Sequence, residues 1–86
     1  MNKLTKDYLD SLVINTQYVH QELLTICTIT VKNGFKLVGT SACADKQNYD
    51  AKIGEQVAYQ NAFAKLWELE GYLLKQRLYE LDIIKE

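Results

Sequence analysis

Leu23-Leu24-Thr25-Ile26-Cys27-Thr28-Ile29-Thr30-Val31-Lys32, then Asn33-Gly34, then Phe35-Lys36-Leu37-Val38-Gly39-Thr40-Ser41, is the stretch that decides how this chain folds. β-formers fill both arms. Asn-Gly between them is a strong hairpin signal, because a two-residue type I′ turn needs φ > 0 at both central positions. With those two residues as the loop, Lys32 pairs with Phe35, Val31 with Lys36, Thr30 with Leu37, Ile29 with Val38 and Cys27 with Thr40. That register predicts a core face of Cys27, Ile29, Val31 and Val38, and an outer face of Ile26, Thr28, Thr30, Phe35 and Leu37. It also sets Cys43 across from Leu24, on the face opposite Cys27. Both cysteines are therefore expected as small buried hydrophobes without a disulfide.

Upstream of the hairpin, Leu4, Tyr8, Leu9 and Leu12 recur at helical spacing with Thr5 as an N-cap, which predicts a short helix to about Leu12. Such a helix needs packing to persist. The mixed stretch from Val13 to Gln21 predicts a strand around Thr16 to Val19. Downstream, a region rich in Ala, Leu, Gln, Lys and Glu predicts helix from about Asn48 or Asp50 to Asp82, with Asn48 as cap and Asp50 in its first turn. Ile53, Val57, Gln60, Ala64, Trp67, Gly71, Leu74, Leu78 and Leu81 form one stripe of this helix, and Ala58, Ala62, Leu66, Leu69 and Leu73 form a second. A two-stranded hairpin cannot cover both. Either the helix breaks near Gly71 and folds back, or it runs on and one stripe packs against another chain. Gly71, costing about 1 kcal/mol inside a helix, favours a break or kink.

The 86 residues amount to one small domain, residues 1–86, of ordinary globular composition: 48% hydrophobic and 24% charged. A core this small supplies only a few kcal/mol of net stability. Two cysteines and one histidine provide neither a disulfide framework nor a full zinc set, so self-association is the expected support. Ten Lys and Arg against 11 Asp and Glu, net −1, argue against duplex nucleic acid as partner but leave room for a small anionic ligand. No apolar run reaches the roughly 20 residues of a membrane span, and Met1 to Asp7 lacks the apolar core of a signal peptide. A cytoplasmic protein with reduced thiols and no membrane partner is expected.

No catalytic constellation stands out. His20 is the sole imidazole and has no assignable acid or thiol partner in the sequence. Gly39-Thr40-Ser41-Ala42-Cys43 is not the Gly-x-Ser-x-Gly elbow, and no phosphate-loop, dinucleotide or EF-hand motif is present. No cofactor, metal or enzymatic activity is expected. Six Tyr, two Phe and one Trp offer planar surfaces for stacking, although tyrosines on a helix flank also serve as core or interface residues. Lys75 and Arg77 follow Tyr72 within two turns, and as a solvated helix face they need no function.

Cys27-Thr-Ile-Thr-Val-Lys-Asn-Gly-Phe35, Val38-Gly-Thr-Ser-Ala-Cys43, Asn48-Tyr-Asp50, Ile53-Gly54, Ala58, Asn61-Ala62 and Lys65-Leu-Trp-Glu-Leu-Glu-Gly-Tyr-Leu-Leu74 together closely resemble the small phage proteins of the gene-product forty-nine/sixty-six family, over roughly residues 24 to 78. The chain departs from the family where Lys46 stands in place of a common Pro, which leaves that loop less rigid. The resemblance implies a phage or prophage origin. In size, hairpin-plus-helix layout and phage context the chain is also similar to the phage Thoeris anti-defence sponges, which bind cyclic ADP-ribose-type signals or cyclic oligonucleotides without cleaving them. That likeness implies a non-catalytic protein that sequesters a nucleotide-derived signal at an oligomer interface; a module that binds and inhibits a host protein is the alternative.

The expected fold is α+β: a short N-terminal helix and a hairpin-based antiparallel sheet packed on a long C-terminal helical region, straight or kinked at Gly71, assembled as a homo-oligomer. The chemistry of the residues nominates Phe35 on the outer hairpin face, Tyr49 and Tyr59 for stacking, Asn61 for base or ribose hydrogen bonds, and Lys75 with Arg77 for phosphate.

Overall fold

The computed structural model describes residues 3–81 and has the expected α+β architecture. Helix α1 (Lys6–Leu12) leads directly into three strands, β1 (Val13–Gln21), β2 (Leu24–Val31) and β3 (Lys36–Ala42), which form one antiparallel sheet in the order β1-β2-β3. A short 3-10 turn (Lys46–Asn48) then delivers the chain to α2 (Ala51–Glu80). Thr5 caps α1 as predicted, its hydroxyl accepting from the Tyr8 N–H at 3.1 Å. The strand expected around Thr16 to Val19 is longer, and it joins β2 through a two-residue turn in which Glu22 takes φ 55°. Positive φ at the first central residue alone is the sign pattern of a type II′ turn.

The hairpin between β2 and β3 is present but its register is shifted by one residue from the expectation. Ile29 pairs with Leu37, Thr28 with Val38 and Cys27 with Gly39, and Ala42 stands across from Leu24 where Cys43 was expected. The loop holds three residues. Gly34 N–H donates to Val31 O at 2.8 Å, Val31 N–H donates to Phe35 O at 3.1 Å, and of Asn33 and Gly34 only the glycine has positive φ. This is the turn-plus-bulge hairpin, in which one left-handed residue suffices. The Asn33 side chain fastens it by accepting from Phe35 N–H at 2.9 Å. A one-residue slip turns the whole second arm over. Leu37 is buried and Val38 exposed, the reverse of the expected faces, and Phe35 lies on the helix side beside Leu66, Leu69 and Tyr72 instead of on the outer face.

One core results. Leu9 from α1, Cys27, Ile29 and Val31 from β2, Leu37 from β3, and Ala58, Ala62, Phe63 and Leu66 from α2 form a single cluster. Leu9, Ile29 and Leu66 are fully buried, each such side chain contributing about 1.5–3 kcal/mol. Helix and sheet approach closely because Gly54, Ala58 and Ala62 on α2 face Thr25, Cys27 and Gly39. A Cβ at Gly39 would collide with the Ala58 carbonyl and the Ala62 backbone nitrogen. Cys27 is buried and Cys43 half-buried, and both are free thiols.

Asp50, expected inside the first turn, is the N-cap of α2: its carboxylate accepts from Lys52 N–H at 2.9 Å and Ile53 N–H at 3.3 Å. Asn48 belongs to the preceding turn, and Asp82, the expected end, lies outside the described residues. The helix runs unbroken through Gly71, so no break or fold-back occurs there. At roughly 1.5 Å per residue it spans about 45 Å against about 26 Å for β2, and its last turns overhang the sheet. Of the second stripe, Ala58, Ala62 and Leu66 pack on the sheet and Leu69 is exposed, while Ile53, Val57 and Trp67 of the first stripe are exposed and Leu78 is buried.

Candidate functional site

The first turns of α2 lie near the far end of β1, and the sole histidine sits between them. His20 is on the helix-facing side of β1, opposite Thr25 of β2. Its Nε2 stands 2.7 Å from Glu55 Oε2, and its Nδ1 lies 3.2 Å from the Tyr49 hydroxyl and 3.4 Å from Thr25 Oγ1. A carboxylate only accepts, so Nε2 carries the proton and donates to Glu55. In the neutral ring Nδ1 then accepts from a hydroxyl. Thr25 is fully buried, and Gly54 allows α2 to settle on it: a Cβ there would stand 2.8 Å from Thr25 Oγ1. One imidazole thus ties together a strand, the loop before α2 and the helix itself, and it can hold a proton in a fixed position between Tyr49 and Glu55.

Beside this cluster opens a cavity of about 400 Å³ lined by Tyr18, Lys52, Glu55, Gln56, Tyr59 and Gln60. Tyr18 comes from β1 and the other five from successive turns of α2. The Tyr59 ring stacks on Phe63, with centroids 5.7 Å apart and planes at 23°. Burial pushes the Tyr18 and Tyr59 phenols above their ordinary range, so both remain neutral donors. Burial also pushes up the Cys27 thiol behind Tyr18, and the neighbouring phenol partly offsets the effect. The cavity therefore offers two aromatic rings, two carboxamides and one ammonium group, with Glu55 drawn toward His20.

A second, more apolar cavity of about 280 Å³ lies at the other end of the sheet between the hairpin loop and α2, and includes Phe35, Leu69, Tyr72 and Leu73. The nominated residues are divided between these two ends. Tyr49 and Tyr59 flank the His20 cluster and the larger cavity. Phe35 belongs to the apolar cavity, and Lys75 and Arg77 are exposed on the overhanging part of α2. From Tyr59 to Arg77 is about 27 Å along the helix. Asn61 donates its side-chain amide to Thr40 O at 2.7 Å and thereby covers the edge of β3. Within one chain, then, the phosphate candidates and the stacking candidates do not converge.

Sequence reasoning missed the pairing of His20 with Glu55 and the contributions of Tyr18, Lys52, Gln56 and Gln60. The available signal was the alternation of Thr16, Tyr18 and His20, which would face all three toward the helix once β1 is extended to its full length. Among the described residues no cluster of three or more His, Cys, Asp or Glu could hold a metal ion, and no helix is long and apolar enough to cross a membrane.

Among known families, the model of the Phage protein (N4 Gp49/phage Sf6 gene 66) family matches residues 4–78, so the likeness extends through α1 and β1 as well as the hairpin and α2. No curated protein and no solved structure matches the chain.

Proposed function

The chain belongs to this phage protein family, and from that premise we propose that it is a non-catalytic anti-defence protein of the host cytoplasm that sequesters a nucleotide-derived immune signal of the cyclic ADP-ribose or cyclic oligonucleotide type. The observation that carries this reading is the cavity of Tyr18, Lys52, Gln56, Tyr59 and Gln60. Tyrosine rings stack on a purine or flank a ribose, carboxamides satisfy base and sugar hydroxyl groups, and an ammonium group meets a phosphate. Sequestration requires enclosure more than reactive groups, and a second subunit supplies enclosure that so small a chain lacks. Lys52 replaces Lys75 and Arg77 as the phosphate partner in this reading, because it shares the cavity with the aromatic residues.

Thermal melts with cyclic ADP-ribose isomers and cyclic oligonucleotides test it. A sponge gains about 2.7 kcal/mol at a hundredfold excess of ligand over its Kd and releases the ligand intact after heating. Lys52→Ala then weakens binding by about 1.5–3 kcal/mol, the range for a charge-assisted hydrogen bond, while Arg77→Ala leaves it unchanged. Consumption of the ligand would instead make the chain an enzyme, with the His20, Tyr49 and Glu55 cluster as the place to look. The alternative, a module that binds and inhibits a host protein, is favoured by the exposed apolar ridge of Ile53, Val57 and Trp67 on α2. It becomes the better reading if none of these nucleotides raises the melting temperature and a host protein is captured whose retention depends on that ridge.

A further inference from the structure

The two edges of the sheet are finished differently. On β3, the Val38 and Thr40 carbonyls are taken up by α2: Lys65 Nζ donates to Val38 O at 2.6 Å and Asn61 to Thr40 O at 2.7 Å. On β1, the outward backbone groups have no such cover. Val31 N–H donates to Phe35 O, so odd-numbered residues of β2 bond toward β3 and even-numbered ones toward β1. Their partners Asn15, Gln17, Val19 and Gln21 are turned inward, which leaves the N–H and C=O groups of Thr16, Tyr18 and His20 directed out of the sheet. Among the described residues none of these groups is hydrogen-bonded to backbone or side chain.

Exposed edges are ordinarily blunted by lysine, proline or a bulge. The nine residues Val13–Gln21 contain no charged residue, no proline and no glycine, and the one irregularity, between Val13 and Asn15, lies at the end away from His20. We propose that β1 pairs antiparallel with β1 of a second copy of this chain, about a two-fold axis at Tyr18, joining two three-stranded sheets into one. In that register Tyr18 faces Tyr18, Thr16 faces His20, and Gln17 faces Val19, so each outward N–H meets a carbonyl of the other copy. An uncharged strand meets its own copy without juxtaposing like charges, which is the reason for choosing a second copy over a foreign peptide. Tyr18 also lines the larger cavity. The axis therefore brings the two cavities side by side along the seam, and each is completed by the other copy.

This pairing supplies the enclosure that the proposed function calls for but needs no ligand, and its test contains none, so it stands even where no nucleotide binds. Sedimentation equilibrium on the full chain is expected to give a dimer. Gln17→Lys with Val19→Lys places four lysines on the solvent side of the seam and should yield a monomer with an unchanged far-ultraviolet spectrum. Gln17→Glu with Val19→Lys places opposite charges there and should restore the dimer, which a merely misfolded pair could not do. The amide protons of Thr16, Tyr18 and His20 should exchange at least tenfold more slowly in the native chain than in the double-lysine variant. A native chain that stays monomeric at millimolar concentration overturns the proposal. So does a dimer that survives the double-lysine change, or equal exchange at those three amides.

Discussion

Gly39 has the tightest surroundings of the four glycines. The carbonyl of Ala58 and the nitrogen of Ala62 occupy the space of its missing Cβ, and neither is the far end of a side chain that could swing away. Gly39→Ala must push α2 off the sheet, and a loss of about 3 kcal/mol or more is expected in urea unfolding, at the upper end of overpacking costs. Gly71 is the opposite case. Nothing lies within 4 Å of the position its Cβ would take, and it sits inside a continuous helix. Gly71→Ala should raise stability by about 1 kcal/mol, the difference in helix propensity, and an unchanged or lowered urea midpoint would show that this glycine is needed for close approach of something else. The two glycines look alike in the sequence, where nothing reveals which one meets another backbone.

At the level of elements, the short-range signals are reliable guides and the register is not. Thr5 marks the start of α1, and the β-rich run marks β2 and β3, because caps and alternation act through neighbouring residues. Asn33-Gly34 is compatible with two loop lengths that differ in which residues take positive φ. The choice is made by burying Leu37 instead of Val38 and by the Asn33 side chain, which are tertiary and loop contacts. The His20 and Glu55 pair was out of reach for a related reason. The partners come from different elements 35 positions apart, and they meet only because α2 lies across the sheet at one particular angle. Asn61 shows the converse error, since a polar residue nominated for a ligand serves the sheet. Asn61→Ala with Lys65→Ala should expose the Val38 and Thr40 carbonyls. The expected outcome is association in light scattering beyond that of the native chain at the same concentration, together with a loss of about 1–3 kcal/mol for two hydrogen bonds.

For the molecule as a whole, the partly desolvated Tyr18 and Tyr59 phenols and the buried Cys27 thiol set an upper limit to the pH range of stability. Tyr18, Tyr59 and Cys27 all have folded values raised above the ordinary 10.0 and 9.0, chiefly by burial. The folded state thus holds these protons more tightly than the unfolded state. Their contribution is fully present below the ordinary thiol and phenol values and is lost as pH rises through them to the raised folded values. The urea midpoint should therefore be flat from neutrality to about pH 8.5 and decline above about pH 9, and Tyr18→Phe with Tyr59→Phe should reduce the decline. A midpoint that holds steady to about pH 11 would mean that these groups are as well solvated folded as unfolded.

Trp67 is the chain's one tryptophan and stands 40% exposed on the outer ridge of α2, across the helix from the sheet. It is a built-in optical arbiter between the two ways that copies of this chain could meet. Joining through strand edges leaves the indole in water and its emission colour fixed as concentration rises, whereas ridge-to-ridge packing dries it and shifts the light to shorter wavelength.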